Sequence, residues 1–215
     1  MHFCIECSIV DGMSSGPGLR ERKKQRTRQA IVDAAARLFD QQGYEATTVA
    51  QIATAVEIAP RTFFGYFPSK EDVLFADTDE RIELALAAVG DRRPGDHPAD
   101  LLLRTVERML TTGAFTAGLA GPIGTVRVRL LAGTPALQAG ALRRLLRAQT
   151  ELSEALHTAY RSELDRTTAA AMVGALVGAL VAAALAGLRR GDDLPRLQAG
   201  LRRATEVARR GIAAS

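Results

Sequence analysis

The stretch Thr47–Asp72, TTVAQIATAVEIAPRTFFGYFPSKED, decides the reading of this chain. Thr48 opens a short helical pattern, and Thr48-x-x-Gln51 reads as a capping box in which hydroxyl and amide satisfy two free N–H groups reciprocally. Ile52, Ala53, Ala55 and Val56 give that helix its apolar side. After a short break, Pro60 suits the first position of a second helix, because it has no N–H to lose. The aromatic run Phe63, Phe64, Tyr66, Phe67 ends at Pro68, so the pattern predicts a helix over 60–67. Ser69 then caps a further helix, with Glu71 and Asp72 well placed in its first turn. Two short helices around a tight break are the layout of a helix-turn-helix, whose second helix enters a DNA groove.

Upstream, Arg20–Arg28 holds six basic residues and one acid. Ile31, Ala34, Ala35, Leu38 and Phe39 recur at helical spacing and Gly43 closes the pattern, which predicts a helix over 21–42. Downstream, an apolar stripe from Val73 to Val89 predicts one helix over 70–89. The segment 90–98 is a loop by composition. Further helical patterns cover 99–114, 119–132, 135–163, 165–188 and 194–213, with no strand pattern and no repeat. The expected fold is all-α: a tail at 1–19, a three-helix DNA-binding domain at 20–68, and a second helical domain at 69–215, to which the family resemblance given below assigns ligand binding and dimerisation.

The length of 215 residues is ample for a core, and 47% hydrophobic content fits a globular chain. Aromatics are 5% and Trp is absent, so closely packed helices rich in Ala, Leu and Gly are expected. The net charge of +4 alone does not choose between DNA, RNA and anionic lipid. Cys4 and Cys7 form a C-x-x-C in which only His2 could add a ligand, short of the four a zinc site takes. Met13-Ser-Ser-Gly-Pro-Gly reads as an alternative start. The first residues lack a basic region and a long apolar core, so no secretory signal is expected and the cytoplasm is the default. No GxSxG, P-loop or HExxH motif is present, and His2, His97 and His157 lie far apart; neither enzymatic activity nor a cofactor or metal is expected.

In the second short helix, Phe63 or Phe64, with Phe67, can anchor to the core, leaving Arg61, Thr62 and Tyr66 outward. Arg reads guanine, whereas Thr and Tyr contact phosphates or a thymine methyl. Thr48, at a helix start, and Lys70 are placed to hold flanking phosphates, and the basic arm adds salt-sensitive attraction.

In order and spacing, Gly43-Tyr44, Thr47-Thr48-Val49, Ile52-Ala53, Phe64-x-Tyr66-Phe67 and Ser69-Lys70-Glu71 resemble the amino-terminal domain of TetR-family transcriptional regulators. The resemblance covers residues 24–75. It implies an all-helical homodimer on a palindromic operator, usually a repressor, with a carboxy-terminal domain that binds a small effector and releases DNA. Two positions depart from the family pattern. Ala59 offers no side-chain cap, and Gly65 replaces a residue that could reach DNA, each weakening the helix by about 1 kcal/mol.

Thr167–Leu188 carries no charge over 22 residues. It is long enough to span a bilayer, which gives an alternative reading as a membrane-anchored or scaffolding protein. Its small residues, Gly174, Gly178 and Ala182 among them, instead suit close helix packing without a membrane. The resemblance assigns the last two helices to the dimer interface, with Leu197 and Leu201 on the final one. It also places the effector pocket in the preceding helices, where the polar candidates are Glu107, Thr111, Arg127, Gln149, His157 and Tyr160.

Overall fold

The computed structural model describes residues 18–112 and 121–213. The Cys4/Cys7 pair with His2, and the stretch 113–120 between two of the expected helices, lie outside the described residues. Helices follow in the order α1 Leu19–Gln42, α2 Val49–Ala55, α3 Pro60–Phe64, α4 Lys70–Val73, α5 Thr78–Gly90, α6 Pro98–Thr111, α7 Gly121–Gly133, α8 Pro135–Ala159, α9 Arg166–Arg190 and α10 Leu194–Ala213. No strand occurs among the described residues, so the fold is all-α as the patterning requires.

Two apolar clusters organise the chain. The first gathers Ile31, Ala35 and Phe39 of α1, Ile52 of α2, Phe63 and Phe67, and then Val73, Leu74 and Phe75. Val126 of α7 and Leu137 of α8 complete it, so the headpiece shares a core with the helices that follow. The second cluster joins α6, α8, α9 and α10 through residues such as Leu101, Leu156, Val173, Leu176, Leu197 and Leu201.

The sequence expectation of one helix over 70–89 is corrected. The chain leaves helix at Leu74–Asp77, where Leu74, Phe75 and Thr78 donate backbone hydrogen bonds three residues back. The cause is burial. Val73, Leu74 and Phe75 are all inside, and three consecutive residues cannot share one helical face. The expected helix over 60–67 is shorter too. It ends at Phe64, and Gly65 and Tyr66 turn with donors to Thr62 O and Phe63 O in a tightened last turn. A Cβ at Gly65 would lie 3.2 Å from Thr62 O, so glycine suits this close turn. The pattern expected over 135–163 likewise stops at Ala159, followed by a turn through Glu163.

The turn between α2 and α3 has a definite construction. Ile58 N donates to Ala53 O at 3.0 Å and Glu57 N to Thr54 O at 3.1 Å, which is a Schellman ending. That ending needs one left-handed residue, and Glu57 supplies it at φ 56.

A candidate nucleic-acid interface

The α2–turn–α3 unit is held from three directions. Its entry is fixed by the capping box: Gln51 N donates to Thr48 Oγ1 at 3.2 Å, and Thr48 N to Gln51 Oε1 at 2.8 Å. Its inner face is fixed by Ile52, Ala53 and Phe63, all fully buried. The loop before it is fixed by α4. Lys70 Nζ donates to Tyr44 O at 2.8 Å and Thr47 O at 3.1 Å and lies 4.2 Å over the Tyr44 ring. The Tyr44 hydroxyl donates to Glu71. Burial, with that hydrogen bond, holds the Tyr44 phenol well above its ordinary pKa. Burial works against the Glu71 carboxylate, but hydrogen bonds from Tyr44 and Ser69 bring it below the usual range.

This frame leaves one face of α3 outward. Arg61 and Thr62 are exposed and Tyr66 is half-buried. The amino-terminal turns of α1 lie beside Thr62 and Tyr66. Arg20, Lys23 and Lys24 share a groove of about 750 Å³ with Thr62 and Tyr66. Cations, a hydroxyl and a phenol along one groove match the chemistry that holds phosphates and reads base edges.

Phe64 is a further outward residue, which the sequence pattern left undecided. Either Phe63 or Phe64 suits the core by pattern, yet Phe63 is fully buried while Phe64 is 56% exposed, its ring edge-on to Phe63 at 5.6 Å. Helical spacing separates such neighbours by about 100°, which could have told that only one of them faces in. Two cations also behave differently from the expectation. Lys70 already donates to two carbonyls of its own chain. Arg28, counted in the basic arm, donates to Ala76 O and Tyr66 O and stacks 4.3 Å over the Phe67 ring.

The polar candidates of the carboxy-terminal half are engaged in separate local contacts. Glu107 is exposed and pairs with Arg202 at 3.1 Å. Thr111 donates back to Glu107 O at 2.9 Å. Gln149 is half-buried, and its main-chain oxygen accepts from Ser153. His157 Nδ1 meets Leu164 O at 2.8 Å, closing the turn after α8. Tyr160 is fully buried under Arg92, whose guanidinium lies 4.0 Å over the ring. Arg127 is 7% exposed and pairs with Asp77 at 3.1 Å. The structure does not gather the six at one site: their contacts go to different partners, Arg202, Asp77 and Arg92 among them.

The residues expected at a dimer interface also divide. Leu197 and Leu201 are buried in the chain's own core against α9, because the α10 stripe they belong to packs intramolecularly; they are not free to meet a second copy. Gly174 is half-buried, and Gly178 and Ala182 are exposed. The helix Arg166–Arg190 is the one among the described residues long and apolar enough to cross a membrane. Its Met172, Val173, Leu176 and Leu180 face the second cluster, so one side of the helix packs within the fold. No group of three or more His, Cys, Asp or Glu that could hold a metal occurs among the described residues.

A capped helix, a Schellman turn and a short outward helix beside a basic arm define a helix-turn-helix transcriptional regulator. The family of bacterial regulatory proteins of the tetR type matches residues 31–76. The chain is 39% identical over 154 residues to the HTH-type transcriptional regulator TcmR of Streptomyces glaucescens, covering 70% of this chain and 68% of that protein. The chain belongs to the TetR family of DNA-binding transcriptional regulators. Its fold agrees with a TetR-family regulator from Mesorhizobium loti at a TM-score of 0.60 and 16% identity, over 89% of this chain and 97% of that one. It also agrees with Thermus thermophilus FadR, a TetR-family repressor solved with lauroyl-CoA, at 0.50 and 21% identity, over 84% and 92%.

Proposed function

We propose that this regulator is a cytoplasmic repressor that binds a palindromic operator as a homodimer and leaves it when a small-molecule effector binds the carboxy-terminal half. The observation that carries this reading is the outward face of α3, where Thr62 and Tyr66 share a groove with the basic start of α1 and Arg61 stands exposed next to Thr62. Arg61 reads a base edge, Thr62 and Tyr66 fix the register on phosphates, and Thr48 at the start of α2 adds a further phosphate contact. Lys70 acts at one remove, by fixing the loop before α2, and has one remaining N–H for a flanking phosphate.

The dimer reading is supported by α9. Ala171, Ala175, Gly178, Ala182 and the half-exposed Leu185 recur at spacings of four and three along its free side. Small residues at that spacing let a second copy of the helix approach closely. Gly174 borders the stripe. Thermus thermophilus FadR, which shares the fold, was solved in complex with lauroyl-CoA, which supports a small-molecule effector for this fold. Signal transfer then runs through the connector Leu74–Asp77. Arg28 of α1 holds Ala76 O, Arg127 of α7 holds Asp77, and Arg144 of α8 pairs with Asp72 of α4. An effector must prefer the DNA-incompetent arrangement by about 5.5 kcal/mol to shift the population nearly completely.

The test is footprinting of the full chain on DNA upstream of its own and neighbouring genes, with light scattering of the free protein. A two-fold symmetric protected segment and a dimeric mass support the reading. Protection without symmetry, or a monomer on DNA, contradicts it.

A further inference from the structure

We propose that Arg81 and Arg127 form the seat for an anionic group on the effector, most simply a carboxylate, which displaces Asp77. The inference rests on the effector reading above and names the chemical class that site would take.

The cluster is unbalanced as it stands. Arg81 on α5 and Arg127 on α7 both reach the same Asp77 oxygen, at 3.4 and 3.1 Å. Two guanidinium groups therefore share one carboxylate oxygen, Arg81 adding only a bond to the Thr78 hydroxyl at 3.3 Å, and neither pairs with a second anion among the described residues. Arg127 is more than nine-tenths buried. Its Nε has no hydrogen-bond partner, nor has the second Asp77 oxygen, although both are buried. Buried polar groups are almost always paired, and an unmade donor on a charged group is costly. Burial, reinforced by the like charge of Arg127, pulls the Arg81 guanidinium below its ordinary pKa despite Asp77. A purely structural ion pair would match its charges and use its donors. This one has a free N–H and an excess of positive charge in a low-dielectric setting, the conditions under which an anion binds strongly.

Position gives the site a consequence. Asp77 ends the connector Leu74–Asp77, and the preceding carbonyl, Ala76 O, is held by Arg28 of α1. A carboxylate that accepts from Arg127 Nε and from Arg81 competes with Asp77 for both guanidinium groups. Release of Asp77 frees the end of the connector that seats α4 against the headpiece. The anion therefore acts where the two halves of the chain are joined.

Thermal unfolding of the full chain with octanoate and benzoate, each beside its uncharged amide at matched ionic strength, tests this directly. The carboxylates are expected to raise the melting temperature, with an affinity about tenfold or more above that of the amides. Arg127→Met and Arg81→Met remove that preference. Asp77→Asn, which removes the competing carboxylate while keeping the shape, strengthens carboxylate binding and weakens operator binding. Equal effects of acid and amide on the unaltered chain, or no effect of either, overturn the anion seat. Operator footprinting in the same preparations keeps the two readings apart, because loss of specific DNA binding would sink the DNA reading while leaving the melting comparison intact.

Discussion

Lys70 and Tyr44 form a double contact: the Lys70 ammonium donates to the Tyr44 carbonyl at 2.8 Å and lies 4.2 Å over the centre of its ring. One side chain thereby ties the first turn of α4 to the loop that leads into the helix-turn-helix. Charged donors and ring faces add in such a geometry, and the site is half-buried. Lys70→Ala is expected to lower stability by about 1–2 kcal/mol in thermal or urea unfolding. Lys23→Ala and Lys24→Ala, on the exposed start of α1, are expected to leave the melting temperature unchanged. Each reduces the slope of log affinity against log salt by about 1 on DNA.

Tyr44 also sets an alkaline limit. Its folded pKa is raised, so the stabilisation it gives is complete below its unfolded pKa of about 10 and is lost as pH rises beyond that. Unfolding followed from pH 8 upward should show stability falling above about pH 10. Tyr44→Phe should blunt that fall while lowering stability near neutrality, because Glu71 loses its donor. An unchanged alkaline slope in the variant would remove Tyr44 as its source.

The positive φ at Glu57 marks a local cost. A left-handed non-glycine residue costs roughly 1–2 kcal/mol, and glycine gives part of that back to the unfolded chain. Glu57→Gly is therefore expected to stabilise the chain by about 0.5–1 kcal/mol. Equilibrium unfolding checks the sign, since a destabilised variant would show that Glu57 has a compensating contact.

Much of this fold was legible in the residues. Thr48 and Gln51 announced their capping box, and Pro60 marked the start of the outward helix, because such signals are local. What was not legible depends on tertiary contact. The break at Leu74–Asp77 follows from where Val73, Leu74 and Phe75 are buried, and an apolar run does not reveal that two cores share it. The engagement of Lys70 and Arg28 inside the headpiece was equally hidden, since a basic residue near a DNA-binding motif reads as a phosphate contact until its own carbonyl partners are seen. Leu197 and Leu201 carry the same lesson: a leucine stripe marks a packed face without telling whether the partner is this chain or another.

Phe64 is the outward aromatic that the pattern concealed. Its ring is more than half exposed, so Phe64→Ala should change stability by less than about 0.5 kcal/mol. An apolar side chain beside Arg61 suits a thymine methyl in the major groove. The variant is expected to bind its operator about tenfold more weakly while binding random DNA normally. A uniform loss on both DNAs would show that the ring supports α3 rather than reading sequence.

Whether α3 reads DNA through Arg61 is decided by fluorescence anisotropy of the full chain on its footprinted operator and on a shuffled duplex, at one fixed salt concentration. Arg61→Ala is expected to lower operator affinity by about 1–3 kcal/mol, to shrink the ratio of operator to shuffled binding, and to leave the melting temperature unchanged. A variant that keeps the full ratio would contradict that role for Arg61.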